Sequence, residues 1–176
     1  MKKSSIKKIA FVGSVGSGKT TIIESLSSID TLNTDVKSSV DIGKEMTTVG
    51  IDYGQISLNK DMILALYGVP GQRKYSMVWD FVNNGLWAIV LLIKSNNIES
   101  IKEIEYIIDY FKVDVNTPCI VGITHADEYN STATKKHLTK IFNKNNLKVP
   151  IFSIDPRLKS SSMLIMDALI AIDENN

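Results

Sequence analysis

Gly13-Ser14-Val15-Gly16-Ser17-Gly18-Lys19-Thr20 has the spacing G-x-x-x-x-G-K-S/T, and its flanks decide how it is read. An apolar run, Ile9-Ala10-Phe11-Val12, precedes it, and a segment of helical character, Thr21-Ile22-Ile23-Glu24-Ser25-Leu26, follows it. Strand, glycine-rich loop and helix in that order make a phosphate cradle. The glycines let successive backbone N–H groups turn inward, and the helix N-terminus adds the positive end of its dipole. Lys19 is then placed to reach the β- and γ-phosphates of a nucleoside triphosphate, and the Thr20 hydroxyl to bind Mg²⁺. Gly13 through Thr20, with Thr21 behind them, form the expected nucleotide-binding set. A plain Gly/Ser turn would not need so many constrained positions in this context.

Working outward, strand-like and helix-like segments alternate, the pattern of a mostly parallel sheet with helices on both faces. The 176 residues suit one domain with a sizeable core, preceded by a short basic tail over residues 1–7. A formal net charge of +1 supplies no field for nucleic acid, so none is expected as a partner. No apolar run reaches transmembrane length, and the termini lack acylation and prenylation patterns, so no direct membrane insertion is expected. The single cysteine, Cys119, follows Pro118 in an apolar run; it reads as a buried structural thiol of a cytoplasmic protein.

After the first helix, Asp30 to Ser39 is polar and reads as a long loop continuing to about Met46. Thr47 to Leu58 alternates as a strand, with a phase slip at Gly54-Gln55 that predicts a bulge or bend there. Asn59-Lys60-Asp61 reads as a hairpin turn into Met62–Tyr67, giving an antiparallel pair within the sheet. A semi-helical segment holding Tyr75, Met77, Val78, Trp79 and Phe81 ends at Gly85. Leu86–Ile93 and Pro118–Ile123 are buried strands, and Val149–Ile154 is the last. A helix capped by Asn96 or Asn97 runs to Phe111, and further helices span Lys135–Asn145 and Ser160–Ile172.

Ligands of such sheets bind outside the carboxyl ends of the strands. The fifth strand ends Thr124-His125-Ala126-Asp127, where a carboxylate can accept from both the ring N–H and the exocyclic amine of guanine. A helix N-cap at Asp127 is the other reading of that carboxylate. Here the sequence comes to resemble the Ras-like GTPase superfamily, whose base motif is N/T-K-x-D. Thr124 and Asp127 match it, while His125 replaces the lysine whose amine braces the phosphate loop in that family. Ser153-Ile154-Asp155 stands where the family's S-A-K loop supports the base, with only Ser153 matching.

The resemblance extends to the segments that sense the γ-phosphate. Thr48-Val49-Gly50-Ile51-Asp52 resembles T-I-G-x-D, which implies Thr48 as a Mg²⁺ ligand, with Thr47 competing. Gly71-Gln72 resembles the end of D-T-A-G-Q, which implies that the Gly71 N–H bonds the γ-phosphate and Gln72 orients the attacking water. Gly68 stands where the family's aspartate supports Mg²⁺. Asp52 on the adjacent strand either replaces it or faces solvent. The patterns Y-x-V-P-G-Q and T-T-V-x-x-D-x-G are similar to the prokaryotic MglA-like branch, which works with roadblock-domain proteins in polarity and motility systems. The resemblance covers residues 8 to about 172. It implies a three-layer P-loop NTPase fold, a single G domain over residues 1–176, and a slow GTP-to-GDP switch catalysed by Lys19, Gly71 and Gln72. Arg73 is a candidate arginine finger in cis or a plain surface arginine; of Tyr75, Met77, Val78 and Trp79, about half are expected to pack on the sheet and the rest to form a candidate partner surface. A hydrolysis-deficient guanine-nucleotide scaffold and an ATP-dependent enzyme are the competing readings.

Overall fold

Continuous apolar runs become central strands because both of their faces are buried. In the computed structural model, which describes residues 5–37, 48–59, 62–95 and 97–175, β1 (Ser5–Gly13) lies between β4 (Met62–Pro70) and β5 (Leu86–Lys94) and runs parallel to both. Beyond β5 come β6 (Cys119–Thr124) and β7 (Ile151–Ser153), also parallel. β3 (Thr48–Asn59) pairs antiparallel with β4 on one side and with β2 (Leu32–Lys37) on the other. The seven strands lie in the order β2-β3-β4-β1-β5-β6-β7, with β3 the one strand reversed.

Helices cover both faces, and the strand alternation sorts residues between them. Ile9, Phe11, Val90 and Leu92 face α1 (Lys19–Leu26) and α6 (Lys159–Glu174), in one core with Ile22, Ile23, Ile165 and Leu169. Ala10, Val12, Leu91 and Val121 face the other way, toward α2 (Ser76–Asn83), α4 (Ile104–Tyr110) and α5 (Glu128–Lys144). The result is the expected three-layer α/β/α arrangement.

Four expectations are corrected. The polar stretch after α1 is not all loop, since residues 32–37 form the edge strand β2, held by its backbone ladder to β3. An edge strand needs no apolar run, so composition concealed it; residues 38–47 of the expected loop lie outside the described residues. The bulge expected at Gly54-Gln55 is absent, because Gly54 pairs Leu66 and Gln55 pairs Ala65 in register. The apolar phase slip instead records a change of face: Ile51 enters the α2–α5 core, while Ile56 and Leu58 pack on the α1–α6 core. The register irregularity falls between Ser57 and Asn59; residues 60 and 61 of the expected turn are outside the described set. The helix expected to run unbroken to Phe111 is two, α3 (Ile98–Lys102), capped by the Asn97 side chain, and α4, with Glu103 between them. The basic tail is shorter, because β1 begins at Ser5, and Lys7 pairs Asp173 at 2.8 Å.

Cys119 is buried, and burial pushes its thiol up to about 12, so it is an inert part of the core. Among the described residues, no helix is long and apolar enough to cross a membrane.

Candidate functional site

The loop between β1 and α1 lies at the carboxyl ends of the strands, where two cavities meet. The larger, about 640 Å³, is walled by Gly18, Thr21, His125, Ala126, the Ser153–Asp155 loop, Pro156 and Arg157. The smaller, about 280 Å³, is walled by Val15, Asn33, Gly50, Asp52, Pro70, Gln72 and Tyr75. Gly16, Lys19 and Thr20 line both. The elements expected to hold a base and those expected to sense a γ-phosphate therefore stand on opposite sides of the phosphate loop.

Lys19 Nζ donates to the Gly13 and Ser14 carbonyls, both at 2.9 Å. Burial lowers this ammonium to about 8, with nearby Asp52 acting in the opposite direction. The carbonyls hold the lysine at the loop until stronger acceptors such as phosphate oxygens displace them. A bound polyphosphate favours the charged form, so binding takes up a proton wherever free Lys19 is neutral. Nucleotide affinity is therefore expected to hold below pH 8 and to fall about tenfold by pH 9. Calorimetry in buffers of different ionisation enthalpy should show the matching proton uptake, and a flat profile would remove this role for Lys19. In the ligand-free protein the sign is opposite, with stability rising as pH climbs from about 8 toward 10.5.

Thr20 Oγ1 donates to Asp52 Oδ2 at 2.8 Å. Asp52 is 8% exposed, so the solvent-facing alternative does not hold. A Cβ added to Gly68 would stand 2.9 Å from that same Asp52 Oδ2, so the Asp52 carboxylate occupies the ground a side chain at position 68 would need. A hydroxyl and a carboxylate side by side, under a loop built for phosphates, suit Mg²⁺, which takes one or two protein oxygens with phosphate and water. Among the described residues no group of three or more His, Cys, Asp or Glu forms a protein-only metal cage. Thr48 begins β3, opposite Lys37, about 13 Å along the strand from Asp52 at ~3.3 Å per residue.

The Gly71 N–H donates to the Gly13 carbonyl at 2.9 Å, so it must exchange that bond to reach a γ-phosphate. Gln72 Oε1 is buried without a partner among the described residues. Its side chain lies between the smaller cavity and another of about 230 Å³ beside Ser14, Ser100 and Glu103. Ser14 Oγ and Ser17 Oγ of the phosphate loop are likewise buried and unpartnered.

On the base side, Thr124 is fully buried and its hydroxyl donates to the Ser17 carbonyl at 3.0 Å, tying β6 to the phosphate loop. His125 has φ of 53°, and its Nδ1 lies 3.1 Å from Thr124 Oγ1. That hydroxyl proton is already committed, so the network assigns the ring proton to Nδ1. His125 thus turns back to Thr124 and walls the base cavity instead of reaching the phosphate loop. Asp127 caps α5: Oδ1 accepts from the Asn130 N–H at 2.8 Å and Oδ2 from the Asn130 side-chain amide. Ala126, the residue before it, lines the larger cavity, and Asp127 itself does not. Asp155 is chelated by Arg157 at 2.9 and 2.7 Å, which holds its carboxyl down at about 2.

Two alternatives for the segment after Gln72 are decided. The Arg73 guanidinium stacks 4.2 Å from the Tyr106 ring centroid on α4 and lines neither nucleotide-side cavity, so it is not poised as a finger. Trp79 is fully buried among Tyr106, Tyr110 and Phe111, and its indole N–H donates to the Pro70 carbonyl at 2.7 Å; it is core, not partner surface. Val78 is buried with it, whereas Met77 and Phe81 are exposed.

Sequence reading missed Arg157, Pro156, Asn33 and Tyr75 as wall residues. Arg157 had a usable signal, an i,i+2 carboxylate partner beside the expected base loop. Asn33 had none, since it sits on the strand that composition hid.

No protein-family model matches the chain, and no curated protein is similar to it in sequence. Among solved structures, it is similar to the bacterial selenocysteine-specific elongation factor EF-Sec, with TM-score 0.69 and 17% identity over 100% of this chain and 29% of that one. It is similar to the G domain of the T. maritima FeoB iron transporter, TM-score 0.64 and 17% identity over 96% and 99% of the two chains. It is also similar to the Arl6 (BBS3) small GTPase from Trypanosoma brucei with a bound nucleotide analogue, TM-score 0.67 and 14% identity over 97% and 99%. The chain spans less than a third of the elongation factor, and nearly all of the FeoB G domain and Arl6. Likeness at this identity establishes the fold, that of a P-loop G domain.

Proposed function

We propose that the chain is a GTP-hydrolysing molecular switch of the MglA-like kind, acting in the cytoplasm through nucleotide-dependent binding of a roadblock-type or other activating or effector protein. One observation carries the reading: Lys19 and Thr20 line both cavities at once, so a single ligand can place its base on the His125 side and its terminal phosphate on the Gln72 side. Asp127 supplies the acceptor for guanine, with the Ser153-Ile154-Asp155 loop and His125 enclosing the base. Thr20 and Asp52 would hold Mg²⁺, which when bound neutralises charge on the phosphates. Lys19 and the N–H groups of the phosphate loop stabilise the charge that develops as the γ-phosphoryl leaves, and Gln72 positions water. The Gly71 loop changes partner between Gly13 and the γ-phosphate, which couples nucleotide state to the exposed residues Met77 and Phe81.

A hydrolysis-deficient scaffold is the second reading, favoured by the engaged Gly71 N–H and the enclosed Gln72 carbonyl. The experiment compares GTP with ATP, with and without Mg²⁺, in binding and single-turnover hydrolysis. Tight guanine-selective binding with slow Mg²⁺-dependent release of phosphate is expected. Gln72→Leu should leave binding intact and lower hydrolysis by about 10²-fold or more. Binding without hydrolysis would transfer the assignment to the scaffold, and ATP preference would end the role given to Asp127. A partner that activates could add up to ~10⁵-fold.

A further inference from the structure

Lys94 closes β5, next to the strand that carries the phosphate loop. Leu92, two residues earlier, pairs with Gly13 at the end of β1, so the ladder delivers Lys94 just beyond the strand end, beside the loop. There a Cβ added to Gly16 would lie 3.6 Å from Lys94 Nζ. Gly16 has φ of +71°, the left-handed turn that curls the loop's amides inward. Lys94 is half-buried, and among the described residues its ammonium has no ion pair and no hydrogen bond. An ammonium is a donor only, and a partly desolvated one is costly without an acceptor. Two kinds of acceptor are within this neighbourhood: carbonyl oxygens of the phosphate loop, and the oxygens of an anion seated in it.

The neighbouring strand end explains why a second cation is needed. Lys94 pairs with Thr124, and the next residue, His125, is turned back onto the Thr124 hydroxyl. His125 therefore walls the base cavity and leaves the loop without a hydrogen bond from its ring. Lys19 is the other ammonium at the loop, and a bound γ-phosphate draws it to the opposite end.

We infer that Lys94 is a positioning residue of the nucleotide site, a fixed positive charge that holds the Gly16 turn of the phosphate loop closed on the α- and β-phosphates. The inference rests on the guanine-nucleotide reading above and adds to it a residue outside the loop motif. GDP and GTP share those phosphates, so Lys94 should tighten both equally.

The test measures dissociation of fluorescent GDP and GTP analogues from the full chain, alongside melting of the ligand-free protein. Lys94→Met is expected to raise both dissociation rates by about 10- to 100-fold, the worth of a charge-assisted hydrogen bond. Ligand-free melting should stay level, because Lys94 has no partner among the described residues to lose. Lys94→Arg should keep dissociation within about threefold of the parent, since it keeps the charge. Equal dissociation rates for parent and Lys94→Met would overturn the inference while leaving the GTPase reading intact. A fall in ligand-free melting that tracks the loss of affinity would also overturn it, as a packing role. A parent chain that bound no guanine nucleotide would remove the reading and the inference together.

Discussion

Asp52→Asn is expected to raise the Mg²⁺ midpoint of GTP binding by about 10- to 100-fold and to lower hydrolysis by about 10²-fold at limiting Mg²⁺, while nucleotide binding in the absence of metal stays near that of the parent. The amide keeps the size of the carboxylate and can still accept the Thr20 hydroxyl, so the 2.8 Å contact survives. What is lost is the negative charge. With glycine at position 68, Asp52 is the acid built against Thr20, and Mg²⁺ needs an anionic oxygen to shed water for. Weakening a metal's protein support typically costs 10- to 100-fold in affinity, and hydrolysis follows the metal. A second readout does not depend on activity. Asp52 raises the Lys19 ammonium against the larger effect of burial. Asp52→Asn should therefore move the alkaline fall in nucleotide affinity to lower pH. Mg²⁺ titrations at fixed GTP, repeated across pH 7 to 9, measure both. An unchanged Mg²⁺ midpoint would leave Asp52 as a packing partner of Thr20 and no more.

How much of this was legible in the sequence depends on which force placed each residue. The phosphate loop was, because its glycines, lysine and threonine answer local demands of strand, turn and helix. The central strands were too, since burial on both faces leaves an uninterrupted apolar run such as Leu86–Ile93. β2 was not, because an edge strand is held by backbone hydrogen bonds that Leu-Asn-Thr-Asp-Val-Lys does not advertise. The phase slip at Gly54-Gln55 was seen but misassigned, since alternation reports which residues are apolar and not which face has a core to receive them. Within the site, Asp52 was named from the adjacent strand, but whether it faced the site or solvent was left open. The answer is a cross-strand pair, Asp52 opposite Gly68, and pairing register is a property of the folded sheet. Arg73 and Trp79 were misplaced for a related reason: their partners, Tyr106, Tyr110 and Phe111, lie on a helix about thirty residues away, with nothing local to signal it.

The Asp52–Gly68 pair also yields the sharpest genetic test of the metal site. Gly68→Asp alone places an acid where the resembling Ras-like pattern has one, yet it is expected to be the most damaging single change at the site. Its Cβ would lie 2.9 Å from Asp52 Oδ2, 2.9 Å from Ile23 Cδ1 and 3.0 Å from Asp52 Cβ, so the sheet or α1 must shift. Overpacking of this kind costs about 1–3 kcal/mol, and a second carboxylate against the first adds like-charge repulsion. Asp52→Gly alone removes the acid and weakens the strand by roughly 0.5–1 kcal/mol. The exchange of both, Asp52→Gly with Gly68→Asp, removes the two Asp52 contacts, leaves only the flexible end of Ile23 to give way, and returns one carboxylate to the pair. If the two positions are alternative seats for one metal-supporting acid, the double variant should melt above Gly68→Asp and bind GTP with Mg²⁺ dependence that neither single variant shows. The cycle should then give a coupling well beyond the few tenths of a kcal/mol expected of independent sites. Additive losses in both melting and Mg²⁺ dependence would mean that Asp52 serves Thr20 and the sheet alone, and the metal would need another ligand.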